Sequence, residues 1–279
     1  MAMPDRKTIV RAVLLAFYFL VVFLIFLVLQ FPYDRIKGRL EAEVRKQTSL
    51  ELTVARISPR FLNRFELADV VLADRNGKVL FESPSVRARI AMLPFLWGTL
   101  SLDLEGAAYG GSLKVRTQQG AKRNYLAVEA NDIEIIRYAP LRDLGLKLAG
   151  RMGGNFEMTN GAGKGRVWFK NLSSRELKVQ GFPVPDLDFE QGWIEAELRN
   201  NDRLTVKKLE LNGKELTIGI SGDLTMRERG TMNLDIKFKP AERLAREQAG
   251  LLSLLKNRDT DGFYHFSLGG TMNNPVPRF

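Results

Sequence analysis

Cysteine is absent from this chain of 279 residues, and histidine occurs once, as His265. The lack of cysteine excludes disulfides, thiolate metal ligands and a cysteine nucleophile. The single histidine excludes any metal site built on two histidines and argues against a histidine-centred triad. No GxSxG nucleophile elbow is present either. We therefore predict a protein that is not an enzyme, with no catalytic residues, no cofactor and no metal site.

Two short motifs resemble ligand-binding loops, but their context indicates turns. Residues 161–165, GAGKG, lack the first glycine and the Ser/Thr of a phosphate-binding loop, and a strand-like segment follows them. Residues 259–262, DTDG, begin like a calcium loop, yet Gly270 stands where that loop needs a bidentate Glu. Paired carboxylates cannot be recognised from sequence alone, so a periplasmic carbohydrate-active enzyme stays as a weak alternative.

The formal net charge of +10, from 42 Lys+Arg and 32 Asp+Glu, favours an anionic partner. The basic residues are interleaved with acidic ones, and no RNP, zinc-finger or helix-turn-helix pattern occurs. We predict no nucleic-acid partner, because a diffuse basic surface fits anionic lipid better.

Residues 12–29 form an unbroken apolar run of 18 residues. As a helix this run is about 27 Å long, and Phe31 helps it to fill a hydrocarbon core of about 30 Å. A cleavable signal peptide has a shorter apolar region and ends at small residues, whereas this run ends in QFPYD. The pattern predicts an uncleaved transmembrane signal anchor over residues 12–31.

Charge around the apolar run predicts the orientation. Arg6, Lys7 and Arg11 precede it, so the positive-inside rule places the N-terminus in the cytoplasm. Basic residues also follow the run, but large domains translocate largely regardless of charge. We predict a cytoplasmic tail over 1–11, a single anchor in a bacterial inner membrane, and a periplasmic β-rich domain over 32–279.

Residues 33–47 have an apolar residue every fourth position and charges elsewhere, which predicts a helix. It is either a solvated stalk that packs one stripe on the domain or a basic helix on the membrane surface. A second helix is predicted over residues 240–257, with Leu244, Leu251, Leu252 and Leu255 on its buried side.

From residue 50 onward, apolar and polar residues alternate in runs separated by turn sequences such as Asn160-Gly161 and Asn212-Gly213. This period predicts a long antiparallel meander. The few predicted helices cannot cover one face of ten or more strands. That face must meet a second sheet, or the sheet must curl over itself and leave an apolar channel.

The clearest alternating runs supply the candidate lining of such a channel. If lipid binds, we expect it to contact six apolar residues of two adjacent strands: Leu216, Ile218, Ile220, Leu224, Leu234 and Ile236. The alternative is that these six are ordinary core residues, since strands normally bury one face.

Three segments carry a family resemblance. They are the anchor followed by SLELTVARISPRFLNRFELADVVLAD, the stretch ARIAMLPFLWGTLSLDLEGAAYGGSL, and the ending FSLGGTMNNPVPRF. Together they resemble the AsmA-like proteins of Gram-negative envelopes. Within that superfamily the chain is most similar to the type II secretion system protein N family.

The resemblance implies a mainly β fold with few helices. A transmembrane helix would precede a long, curved, mostly antiparallel sheet that forms a half-barrel or groove. It also implies a bitopic inner-membrane accessory of type II protein secretion that acts in assembly or interaction with other secretion components. The alternative is an AsmA-like module that binds or transfers phospholipid in a hydrophobic groove.

Overall fold

The computed structural model describes residues 50–279 except 62, 92–93, 95–97, 144–146, 177, 180–181, 184, 228–229, 254, 256–257, 272–273 and 279. Before residue 50 it describes 18, 37–38, 41–42 and 44–46. Apart from Tyr18, the predicted anchor at residues 12–31 lies outside these residues. In the part of the chain that is described, no helix is long and apolar enough to cross a membrane.

Fourteen strands form one antiparallel sheet in chain order, and the β9–β10 hairpin forms a separate two-stranded sheet. The predictions of a mainly β fold and of an antiparallel meander are confirmed. The strands are β1 Glu51–Phe61, β2 Arg64–Ala73, β3 Val79–Ile90, β4 Leu100–Ala108, β5 Gly111–Gln119, β6 Asn124–Glu134, β7 Lys147–Thr159, β8 Ala162–Arg175, β9 Lys178–Val179, β10 Phe182–Pro183, β11 Leu187–Arg199, β12 Arg203–Asn212, β13 Leu216–Thr225, β14 Met232–Pro240, β15 Tyr264–Thr271 and β16 Asn274–Arg278.

Helices are short. A 3-10 turn spans Ile135–Arg137, and it is followed by α1 Ala139–Asp143; later come α2 Glu242–Glu247 and α3 Ala249–Leu252. The predicted continuous helix over 240–257 is wrong in extent. Pro240 pairs with Leu216 as the last residue of β14, and the helix breaks at Gln248. Of its four predicted buried residues, Leu244 is buried and Leu252 is half-buried.

The two ends of the strands differ. The turn end consists of the connections 61–64, 90–100, 119–124, 159–162, 199–203, 225–232 and 271–274. The helix end, opposite to it, carries α1, the β9–β10 hairpin, α2 and α3. The GAGKG motif lies at the turn end, in a turn at residues 160–161 that leads into β8. It is therefore part of a hairpin, as predicted.

Helix α1 lies at the helix end of the sheet and contacts both β3 and β7, which lie four strands apart. It therefore bridges this part of the sheet.

Bulges keep apolar residues on one face of the long strands. In β11, Leu187 and Phe189 alternate on odd positions, and Ile194 and Leu198 continue on even positions. The register of β8 and β11 shows why: Phe189 pairs with Leu172 and Gln191 with Lys170, so the residues between them are unpaired. One of these is Asn171, which has a left-handed φ of 50°. An extra residue in each strand resets the alternation.

Both edges of the sheet are blocked. At β1, the Val54 N–H donates to Glu41 Oε1 at 3.1 Å, and Lys37 Nζ donates to the Ala55 carbonyl at 3.5 Å. At β16, the Asn274 N–H donates to Thr271 Oγ1 on the preceding strand. Because backbone direction alternates along a strand, the nitrogens of Pro275 and Pro277 face outward, where proline offers no donor. Each edge is therefore blocked at these positions, which makes it a poorer template for another strand.

Candidate functional site

An apolar face runs across the sheet from β1 to β15. The strand registers define a row of residues in which each member pairs with the next across neighbouring strands. Every member of this row, from β1 to β15, is apolar or glycine. The row consists of Ile57, Leu67, Val86, Gly106, Leu113, Ala130, Gly154, Val167, Ile194, Leu209, Ile220, Ile236 and Phe266. It spans thirteen strands, which is about 58 Å at roughly 4.8 Å per strand.

Burial along this face changes from one side of the sheet to the other. Near β1 to β4 it forms a closed core: Val54 is 0% exposed, and Leu67, Val70, Val86 and Ala88 are each 8% exposed. From β4 onward every member of the cross-strand row is only half-buried. The apolar face is therefore sealed near β1 and accessible over the later strands.

The six predicted lining residues lie together on this accessible region. Ile220 pairs with Ile236, and Leu224, Leu234, Ile218 and Leu216 follow on the same face of β13 and β14. All six are half-buried, while the polar residues between those of β14 are exposed. The six residues therefore share one accessible apolar surface, and their contact with lipid stays a prediction.

Aromatic residues close the helix end of the face. Tyr109 packs edge-on against Phe81 and Tyr138, with ring centroids 6.2 and 5.5 Å away. The Glu82 N–H donates to the Tyr109 hydroxyl at 3.1 Å, and burial raises the pKa of that hydroxyl. Backbone also holds the ring, because the Glu134 N–H donates to the Tyr109 carbonyl.

The opposite face is charged. Residues adjacent to the apolar row pair acid with base across several strands, as in Glu66–Arg87–Glu105–Lys114–Glu129. A shallow cleft of about 1130 Å³ crosses this face from β1 to β8. Two tryptophans, Trp168 and Trp193, lie opposite each other farther along it, each with a lysine over its ring.

Carboxylates in this cleft are held by cations. Glu66 accepts hydrogen bonds from Arg60 and from the Ser85 hydroxyl, and the Arg60 hydrogen bond is the main reason that its pKa is lowered. Arg87 pairs with Glu105 at 3.5 Å, and Arg116 pairs with Asp103 at 3.1 Å. Each of these three carboxylates is thus paired with a guanidinium, and the carbohydrate-active alternative stays a prediction.

The single histidine lies on the charged face beside the predicted turn. His265 Nε2 is 2.8 Å from Asp259 Oδ2, and this hydrogen bond is the main reason that the pKa of Asp259 is lowered. The other carboxylate oxygen of Asp259 accepts the Phe263 N–H at 2.8 Å. Asp259 thus closes a turn, as predicted. Across the described ranges, no group of three or more His, Asp or Glu is placed to hold a metal ion.

Sequence reasoning missed the charged-face cleft. Its rows of charge exist only once the strand register is known, since residues such as Glu66 and Lys114 are far apart in the chain. A usable signal was present, because polar positions of successive strands alternate between acid and base.

Comparison with known families supports the resemblance at its coarser level. The model of the AsmA family matches residues 3–106. This span contains the predicted anchor and the strands β1 to β3, and it supports an AsmA-like β domain. No curated protein and no solved structure matches the chain.

Proposed function

We propose that the protein is a membrane-anchored, AsmA-like lipid-binding module whose accessible apolar face holds acyl chains in the periplasm. The observation that carries this proposal is the continuous apolar row, which is half-buried from β4 onward. Soluble proteins rarely leave such a surface open unless it binds something. At about 58 Å the row exceeds the length of an acyl chain, which is about half of a 30 Å hydrocarbon core.

Transfer of lipid is the natural extension of binding. The lining consists of aliphatic side chains, with few polar groups to fix one ligand in place. An open wall of this kind favours several positions of similar affinity over one deep pocket. We infer that phospholipid slides along the row over the accessible strands from β4 onward.

A role in type II protein secretion is the second candidate. It is supported by the resemblance of the ending FSLGGTMNNPVPRF to that family, which forms β15 and β16. A partner recruited by strand addition is disfavoured, because both sheet edges are blocked. Any secretion partner would instead bind a sheet face, and the charged face is the available one.

Site-specific photo-crosslinking tests the lipid proposal. A photoreactive phenylalanine analogue at Ile236, on the apolar face, should capture radiolabelled phospholipid in intact cells. The matched position is Asp235, the preceding residue on the opposite face of β14. Capture at 236 and not at 235 supports an occupied apolar face.

Equal capture at both positions, or capture at neither, would contradict lipid binding by this face. The secretion role is examined separately, by deleting the gene and measuring the export of secreted enzymes. Normal export in the deletion strain would remove the secretion assignment and leave the lipid proposal intact.

A further inference from the structure

The turn end beside β1 is basic and free of acidic residues. The three stretches 60–64, 89–100 and 119–124 contain Arg60, Arg64, Arg89, Lys122 and Arg123 and no Asp or Glu. All five cations are exposed. Arg60 pairs with Glu66, whereas no carboxylate among the residues that the structure describes forms an ion pair with the other four. These five residues are called the basic rim.

Like charges in the rim are close together. Arg64 lies directly opposite Arg89 in the β2–β3 register, and Arg89 lies opposite Asp103 in the β3–β4 register. Directly opposed like charges destabilise a sheet, and Asp103 forms its ion pair with Arg116 at 3.1 Å. One carboxylate therefore faces three arginines here, and the remaining positive charge fits an external anionic surface.

The sequence between β3 and β4 is apolar. From Ile90 to Trp97 it reads IAMLPFLW, without a single polar residue. The described start of this connection lies at the turn end, where the Ala91 N–H donates to the Ser101 carbonyl. A sequence that combines tryptophan, phenylalanine and leucine with nearby basic residues is typical of segments at a membrane interface.

The helical residues before β1 show which end is nearer the predicted anchor. Arg45 is 3.9 Å from Glu51, Glu41 bonds to Val54, and Lys37 bonds to Ala55. This segment therefore runs antiparallel to β1, and its N-terminal side points toward the turn end. Only five residues lie between Phe31 and Lys37, so the six steps of chain span at most about 20 Å.

We propose that the basic rim rests on the anionic headgroups of the same membrane that holds the anchor. The partner is an anionic phospholipid bilayer, recognised by the four cations that form no ion pair with a described carboxylate. This proposal rests on the proposed membrane anchor. In this orientation the aromatic cluster of Phe81, Tyr109 and Tyr138, at the helix end, lies away from the bilayer. Acyl chains then reach the apolar face from the turn end.

The lack of cysteine allows a direct test with the full chain. A single cysteine replaces Ala121 in the rim or, as the matched position, Asn76 in the turn at the helix end of β2 and β3. Each carries an environment-sensitive dye, and the protein is reconstituted in nanodiscs with or without phosphatidylglycerol. Nitroxide-headgroup lipid should quench the dye at 121 severalfold more strongly than at 76, and more strongly with phosphatidylglycerol.

Charge variants make the result specific. Arg64→Gln with Arg89→Gln should reduce quenching at 121, whereas Lys147→Gln with Lys214→Gln, at the helix end, should not. Equal quenching at 121 and 76, or no effect of the Arg64 and Arg89 changes, overturns the proposal. If alkaline extraction released the chain from the membrane, both the predicted anchor and the proposed contact of the basic rim would be overturned. Lipid capture at Ile236 tests the apolar face and does not depend on either.

Discussion

Two aliphatic side chains of the apolar face differ in burial, although the sequence pattern around them is alike. Val54 is 0% exposed within the core beside β1, whereas Ile218 is half-buried on β13. Both continue the same alternation, so their sequence context does not distinguish them. The exposure of the two side chains differs because Val54 lies in the core beside β1, whereas Ile218 lies far from that core.

The first prediction compares these two positions. Val54→Asp should lower the free energy of unfolding by roughly 2–5 kcal/mol, because it buries a charge without a partner. Ile218→Asp should lower it by only about 1 kcal/mol, since water reaches that side chain. Urea unfolding of the full chain in detergent, followed by tryptophan fluorescence, measures both. Similar losses for the two variants would mean that Ile218 is core.

The second prediction concerns the pH dependence of Asp259. Its pKa is lowered in the folded protein, first by the His265 hydrogen bond. The stabilisation is therefore complete above the ordinary carboxyl pKa of 3.8, and it is lost as the pH falls through the lower folded value. Asp259→Asn should unfold at lower urea concentration than the parent at pH 6, and the difference should shrink progressively as the pH is lowered below 3.8.

Asp261→Asn is the control for that comparison, since it removes the same charge from the same turn. If it reproduces the pH dependence of Asp259→Asn, the effect comes from net charge and the hydrogen bond to His265 contributes nothing.

At the scale of elements, the edge strands limit where another chain could add to so long a sheet. A sheet of fourteen strands has two edges, and an open edge is a template for association. Side chains from the preceding helical segment occupy backbone groups of β1. At β16, Pro275 and Pro277 offer no N–H donor on the outward side.

The third prediction removes the block at β16. Pro275→Thr with Pro277→Thr restores two outward N–H donors, so the chain should self-associate through this edge. Sedimentation in detergent over a range of protein concentrations measures the mass. Val276→Thr changes the residue between the prolines and should stay unassociated. A double proline variant with unchanged mass would show that the edge is protected by other means.

Strands and turns were predictable because alternation and turn residues are local signals. The β13–β14 run and the Asn160-Gly161 turn are where the sequence places them. The shift of alternation between Phe189 and Ile194 was visible, but its cause was not. A bulge is defined by the partner strand, and register is a non-local property.

The choice between one sheet and two was likewise left open by the sequence. Helix length at residues 240–257 was overestimated for a related reason. Pro240 suits the start of a helix, yet pairing with Leu216 retains it in β14. Tertiary pairing overrode local propensity at that position.

For the whole molecule, one face of the sheet is apolar and the opposite face is charged. The apolar face is closed near β1 and at the aromatic helix end, and it is accessible over the later strands. The charged face carries its own ion pairs and needs no cover. A single sheet can therefore stay soluble on one side and bind lipid on the other, without a second layer.

The central claim is that the accessible apolar face binds phospholipid, and native mass spectrometry of the full chain tests it most directly. We predict phospholipid at a defined stoichiometry, lost in Ile218→Asp and retained in Thr217→Asp, whose side chain lies on the opposite face of β13. An unliganded mass that accepts no added phospholipid, or equal lipid in both variants, would contradict the account.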